Sequence, residues 1–388
     1  MGRIIKYNME LNVLTPIHIG DADYKSKLNS NEYVYDAKSK TLTLIDNKKF
    51  VNLLIERNLF KTYYKHIYEN TMLKKNRQDR KVDLGKFLKD INLYREIEKF
   101  TKKRYENLNL ITKNGKTNDM KLLLRDTHGK PYIPGSSIKG AVVNSLLVDY
   151  ILNNRDEFEK DISSILNECK SVKVEQNIKK YQDTVAKTIS NIQNIILYGE
   201  PKKNSDIKKF GISISDTYEC ENDEFEVDFF QDFDEKIKDG SCQSIPMFRE
   251  YIMPNSTFYF DITPDFDRIE KSRLKIKNVR DIIDSISNAT DYLTDIVLDL
   301  PTIEEELILG ANTGFHQKTI VYALFEDKAI RTDVVRKLLH KSSNSKITNH
   351  LNDKNAPRVI NRVKINDEYE LAGLAKISVL GEKYVGTN

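Results

Sequence analysis

Four groups of residues in this chain have types and spacings that could do chemistry. The first is Tyr132-Ile-Pro-Gly-Ser-Ser-Ile-Lys-Gly-Ala-Val-Val-Asn-Ser-Leu-Leu147. A strand-like Tyr132-Ile133 meets a Pro-Gly turn, Ser136 stands where a helix N-cap belongs, and an apolar helix follows from Ile138. First-turn amides of such a helix lack internal acceptors and carry the positive end of the macrodipole. Gly135 and Gly140 let another backbone come close, Lys139 adds a full charge, and Ser136 and Ser137 complete the set. These are the parts of a phosphate seat. They are equally the parts of a capped, well-packed helix with Gly140 at a crossing. The triphosphate P-loop is excluded, because Ala141-Val142 follow Gly140 where Lys and Ser/Thr are needed.

The second group is His18 with Asp21 and Asp23. A histidine beside an acidic loop can act as general acid or base, or it can bond to backbone at the end of the first strand. The third is Gly310-Ala-Asn-Thr-Gly-Phe-His-Gln-Lys-Thr319. Gly310 and Gly314 permit close approach, with Asn312, Gln317, Lys318 and Thr319 as donors; the same glycines serve an ordinary turn. His316 is a lone candidate within it. The fourth is a basic block: residues 57 to 104 hold 15 Lys/Arg against 6 Asp/Glu, a net +9. Lys74, Lys75, Arg77 and Lys81 stand in it, with tyrosines interleaved at positions 63, 64, 68 and 94. Cations with aromatic platforms suit a single-stranded nucleic acid, and a charge run can also be a solvated helical face.

The elements that must hold these groups are mixed. Ile4 to Leu14 reads as a strand, and Tyr33-Val-Tyr35 with Thr41 to Ile45 as a hairpin. Asp46 or Asn47 caps a helix to about Leu54 or Arg57. Residues 59 to 112 are helical in pattern and polar, an insertion rather than a core layer. Lys121 to Arg125 reads as a strand, followed by a turn at His128 to Pro131 and a helix over 137 to 153. A second helical stretch covers roughly 157 to 197. Strand-like runs follow at Phe210 to Asp216, Phe225 to Phe230, Met247 to Met253 and Thr257 to Ile262. Arg273 to Leu298 is helical, and Glu306 to Leu309, Thr319 to Leu324 and Leu371 to Val379 are short apolar strands. Lys354, Arg358, Arg362 and Lys364 cluster around Pro357, to grip phosphate or to solvate a linker. Periodicity alone gives an α+β protein of two units.

At 388 residues, 39% hydrophobic and 31% charged, the chain can build two real cores. It has no apolar run long enough to span a bilayer and no signal-peptide stretch at Met1-Gly-Arg-Ile-Ile-Lys6. Cys169, Cys220 and Cys242 are odd in number and far apart, which fits reduced thiols in a cytoplasm. No metal-ligand spacing, cofactor motif or Gly-x-Ser-x-Gly elbow occurs, so neither a metal nor a cofactor is expected. The base-stacking signature of an RNA-recognition motif is missing as well. Residues 216 to 240 hold 11 Asp/Glu against 2 Lys, a net −9, and so should meet a basic partner or water rather than a polyanion.

Leu11-Asn-Val-Leu-Thr-Pro-Ile-His-Ile-Gly20, the Ile133 to Gly140 motif, Phe210-Gly-Ile-Ser-Ile-Ser-Asp216, the Gly310 to Thr319 loop and Leu371-Ala-Gly-Leu-Ala-Lys-Ile-Ser-Val379 form an ordered set. That set resembles the RAMP superfamily of CRISPR proteins and, within it, the fifth-subunit family of type III-A Csm effector complexes. The resemblance implies two ferredoxin-like (split βαβ, RRM-like) units, at 1–200 and 201–388, with the helical basic insertion of about 59–112 in the first. It implies a non-catalytic, cytoplasmic RNA-binding subunit that caps the CRISPR RNA 3′ end. Its neighbours would be the repeated third Csm subunit and host 3′ nucleases such as polynucleotide phosphorylase, recruited for 3′ maturation. RNA contacts are expected at Gly135, Ser136, Ser137, Lys139, Gly140, His18, Lys74, Lys75, Arg77, Lys81, Gly314 and Lys318. The alternative is a metal-independent RNA endonuclease using His18 and Asp21 or Asp23, since the third Csm subunit uses an acidic residue after its first strand.

Overall fold

A computed structural model describes residues 5–20, 27–74, 82–108, 110, 119–172, 177–201, 210–218, 226–301, 306–341 and 350–384. Strand β1 (Ile5–Val13) buries alternate residues, the period of a strand with one face on a core. β2 (Tyr33–Asp36) and β3 (Thr41–Ile45) pair as the expected hairpin. The Asp46 side chain accepts from the Lys49 N–H and caps α1 (Asn47–Glu56). α2 (Phe60–Thr71), α3 (Leu84–Asp90), a 3₁₀ turn and β4 (Thr101–Tyr105) follow. β4 pairs with β3, so the basic insertion is not helical throughout and its unit starts at β2. Phe50, Leu54, Tyr63, Phe87 and Phe100 give that unit a core of its own, which the polar composition of 59–112 concealed.

The chain then runs through β5 (Asp119–Lys121), α4 (Gly135–Asn153), α5 (Glu159–Ser171), α6 (Ile178–Tyr198), β6 (Ile212–Ile214), β7 (Val227–Lys236), β8 (Cys242–Ile252) and β9 (Thr257–Pro264). After α7 (Phe266–Ile269) come α8 (Val279–Asp291), β10 (Glu306–Ile308), α9 (Val321–Leu324), α10 (Lys328–Leu339), β11 (Val359–Ile365), β12 (Glu368–Leu371) and β13 (Leu374–Tyr384). Thr319 to Leu324, expected as a strand, holds α9 instead. Its residues 321–324 are all buried, and periodicity cannot separate a short buried strand from a short buried helix. The expected strand at Lys121 to Arg125 keeps only its first residue in β5.

The main sheet has the order β10-β13-β1-β9-β6. Along the chain β1, α4, β6, β9, α8 and β10 succeed one another as in a split βαβ unit, with β13 inserted between β10 and β1. Met9, Leu11, Phe258, Phe260 and Ile377 of this sheet share one core with Ile138, Val142 and Leu146 of α4 and Ile282 and Ile286 of α8. β1 therefore pairs with strands from beyond residue 200, so residues 1–200 and 201–388 do not form separate sheets. The second sheet, β12-β11-β7-β8-β5, is antiparallel except for β5, which runs parallel to β8.

Two charge runs take structural roles. Residues 227–236 of the acidic stretch form β7, inside the second sheet; residues 219–225 lie outside the described residues. Asp232 is fully buried there and accepts from Arg249 Nε and Tyr251 Oη, both at 2.6 Å. Burial pushes its carboxyl above the usual range, against the pull of Arg249. Two residues of the basic cluster near Pro357 stand in β11: Arg362 Nε donates to Glu235 at 2.6 Å, and Lys364 pairs with Asp367 at 2.8 Å.

Candidate functional site

Three of the four candidate groups meet at one groove. It encloses about 500 Å³ and is lined by His18 to Gly20, the first turns of α4, and the loop from Ile308 to Lys318. The segment after β1 is tied to the glycine loop by the Ala311 N–H donating to His18 O at 2.9 Å. Gly310 sits there at φ +95°, and a Cβ on it would lie 2.7 Å from His18 O. Only glycine permits that approach. Across the groove, Asn144 of α4 donates to Gln317 O at 3.2 Å and fixes the helix to the loop.

The start of α4 differs from the expected cap. The helix begins at Gly135, with Pro134 rather than Ser136 at the N-cap. Asp216, just beyond β6, accepts from the Gly135 N–H at 2.8 Å, so a carboxylate of the chain itself holds the leading amide. A Cβ on Gly135 would lie 2.4 Å from Ile214 O and Ser215 O. Gly135 is therefore a packing glycine, needed for α4 to meet β6. Lys139 falls in the second turn, half-buried and outside the groove lining. The helix tip is thus taken by Asp216, and the groove meets α4 on its flank. Ser136, Ser137, Gly140 and Asn144 face the groove there, and Gly140 has open space where a Cβ would stand.

His18 is buried, and its Nδ1 donates to Glu250 O at 2.7 Å. Burial lowers its pKa to about 4, with Arg249 and Lys121 pushing the same way against that carbonyl bond. It is neutral at pH 7, and the backbone-bonding reading of His18 describes it. Asp21 and Asp23 lie outside the described residues, as do Lys75, Arg77 and Lys81. Lys74 is exposed just beyond the end of α2. Gly314 adopts φ +92°, and a Cβ would meet His316 at 2.5 Å, so it serves the loop rather than the groove. His316 is buried, which takes its pKa to about 4, and neither ring nitrogen has a hydrogen-bond partner among the described residues. Lys318 reaches the groove; surrounding protein, then the Arg249 charge, hold its pKa below the usual lysine value.

Sequence reasoning missed Asn144, Gln193 and Thr313 in the lining. Asn144 was within reach, since Ser137, Gly140 and Asn144 share a face at i, i+3 and i+7. Also missed was the support behind the groove. Buried Glu250 pairs with Arg125 and accepts from Tyr105 Oη at 2.7 Å and Leu123 N at 3.0 Å. Asn312 donates to Tyr251 Oη at 3.2 Å, linking the glycine loop to the Asp232 pair. No spacing in the sequence joins these positions. Among the described residues no group of three or more His, Cys, Asp and Glu is placed to hold a metal, and no helix is long and apolar enough to cross a membrane.

The chain matches the RAMP superfamily over residues 10–315, a span that holds all of the groove lining but Gln317 and Lys318. It is a RAMP protein. Its sequence is 24% identical over 325 residues to the CRISPR system Cms protein Csm5 of Streptococcus thermophilus, covering 81% of this chain and 80% of that one. Csm5 of Enterococcus italicus is 28% identical over 155 residues, or 35% of this chain and 41% of that protein. The RAMP fold is also similar to a chain of the Csm–crRNA–target RNA ternary complex of a type III-A CRISPR-Cas system. There the TM-score is 0.60 at 16% identity, with 97% of this chain and all of that chain covered. The T. onnurineus Csm5 crystal structure gives a TM-score of 0.50 at 16% identity, over 81% of this chain and 93% of that one.

Proposed function

We propose that this RAMP protein is a non-catalytic RNA-binding subunit of a type III-A CRISPR effector complex. The observation that carries the reading is the convergence of His18 to Gly20, the α4 flank and the Gly310 loop on one groove. Its lining offers hydroxyls from Ser136, Ser137 and Thr313, amides from Asn144, Gln193 and Gln317, and the Lys318 cation. That mix suits the ribose-phosphate backbone of a single strand more than a base-specific pocket. The nearest acid–base candidate, His18, is neutral and engaged with backbone. The likeness to Csm5 proteins supports a place over the 3′ part of the CRISPR RNA, beside the repeated third Csm subunit. In that place the chain supports 3′ maturation by host nucleases such as polynucleotide phosphorylase. We read the main sheet as one ferredoxin-like unit of that subunit.

The test is a salt titration of single-stranded RNA binding. Removing one lysine–phosphate pair should flatten the log–log salt slope by about 0.7. Lys318→Ala should show that change and a several-fold weaker affinity. Lys139→Ala, outside the lining, should change neither. A Lys318→Ala protein with the wild-type slope would remove the groove from the RNA path.

A further inference from the structure

Helix α2 carries an aromatic row that the groove does not use. Phe60, Tyr64 and Tyr68 stand at i, i+4 and i+8, so they share one face of the helix. They are 44%, 63% and 44% exposed. The row cannot turn inward, because Tyr63 and Ile67 on the neighbouring face already pack against the small core of Phe50 and Phe87. The Tyr64 and Tyr68 rings stack within 17° of parallel, with centroids 6.4 Å apart. Lys61 and Lys65 make the adjoining row. Lys65 is 76% exposed and pairs loosely with Glu69, at 3.8 Å.

We infer that α2 is a second, separate contact for single-stranded RNA, with bases stacked on Tyr64 and Tyr68 and phosphates along Lys61 and Lys65. The aromatic faces accept any base, and the lysine row supplies the charge that a backbone needs. Charge complementarity decides the occupant. The segment 57–104 is net +9, and an apolar protein surface over the tyrosines would leave the lysines unanswered. The inference rests on the proposed RNA-binding role of the chain but not on the groove.

The experiment uses the full-length protein and a single-stranded oligoadenylate carrying 2-aminopurine, whose fluorescence falls on stacking. Tyr64→Ala and Tyr68→Ala should each weaken binding at least about fivefold and restore fluorescence, with the salt slope unchanged. Tyr64→Phe and Tyr68→Phe should bind as wild type, since stacking needs the ring and not the hydroxyl. The Lys61→Ala/Lys65→Ala pair should flatten the slope by about 1.4. Lys318→Ala serves as the groove control. If it weakens binding while both tyrosine-to-alanine variants bind and quench as wild type, the platform is overturned and the groove stands. If the wild-type protein does not bind the oligonucleotide at all, both readings fall. Unchanged RNA binding with failed capture of the other complex subunits would make α2 a protein surface and overturn the inference.

Discussion

Gly135 and Gly140 lie five residues apart on α4, and the structure gives them opposite roles. A methyl group on Gly135 would stand 2.4 Å from two main-chain carbonyl oxygens, Ile214 O and Ser215 O. An ordinary carbon–oxygen contact is about 3.3 Å or more, so α4 and β6 would have to part by roughly 1 Å. The clashing atoms are backbone and cannot rotate away. The Gly135 N–H bond to Asp216 would stretch with them. Overpacking costs about 1–3 kcal/mol, and Gly135→Ala should lie at or above the top of that range. Gly140 is exposed with nothing within 4 Å of a Cβ, so Gly140→Ala should gain roughly 0.5–1 kcal/mol of helix propensity. The two variants should therefore differ by about 4 kcal/mol in urea unfolding followed by circular dichroism. RNA affinity measured alongside should fall for Gly140→Ala without any loss of stability, since the new methyl projects into the groove. A Gly135→Ala protein with wild-type stability and abolished RNA binding would refute this assignment and return Gly135 to a ligand-approach role.

Acid should destabilise the fold through its buried histidines. The pKa values of His18 and His316, near 4 in the folded chain, lie below the ordinary 6.5, so the unfolded chain binds protons first. Stability is then full above about pH 6.5 and falls as pH drops toward 4, by roughly 2 kcal/mol per histidine at pH 5. His316→Leu should show a shallower loss of urea midpoint between pH 7.5 and pH 5, and an equally steep loss would contradict the burial argument. Purified protein should leave labelled RNA intact with or without divalent metal, and cleavage abolished by His18→Ala would reinstate the endonuclease alternative.

Much of this was legible in the residues themselves. The alternation of Ile5 to Val13, the Asp46 cap and the hairpin of Tyr33 to Ile45 are local signals, and local signals survive folding. The motifs that meet at the groove were each visible, but their meeting was not, because the Ala311–His18 and Asn144–Gln317 bonds join segments far apart in sequence. Ser136 looked like a cap because its type fits one. The helix starts two residues earlier than that cap requires, since Asp216 arrives from beyond β6 to hold the Gly135 amide. Charge runs behaved in the same way: the acidic run read as facing a basic partner or water and the Pro357 cluster as gripping phosphate or solvating a linker, yet Asp232 and Arg362 each found a counter-ion across a strand pair that composition does not encode.

The central claim is that RNA runs through the groove between α4 and the Gly310 loop. Photo-crosslinking of 4-thiouridine RNA to the full-length protein, with the attached peptides read by mass spectrometry, tests it most directly. Adducts should map to residues 136–147 and 308–318, apart from any on α2. Adducts confined to other surfaces, with those two segments unmodified, would contradict it.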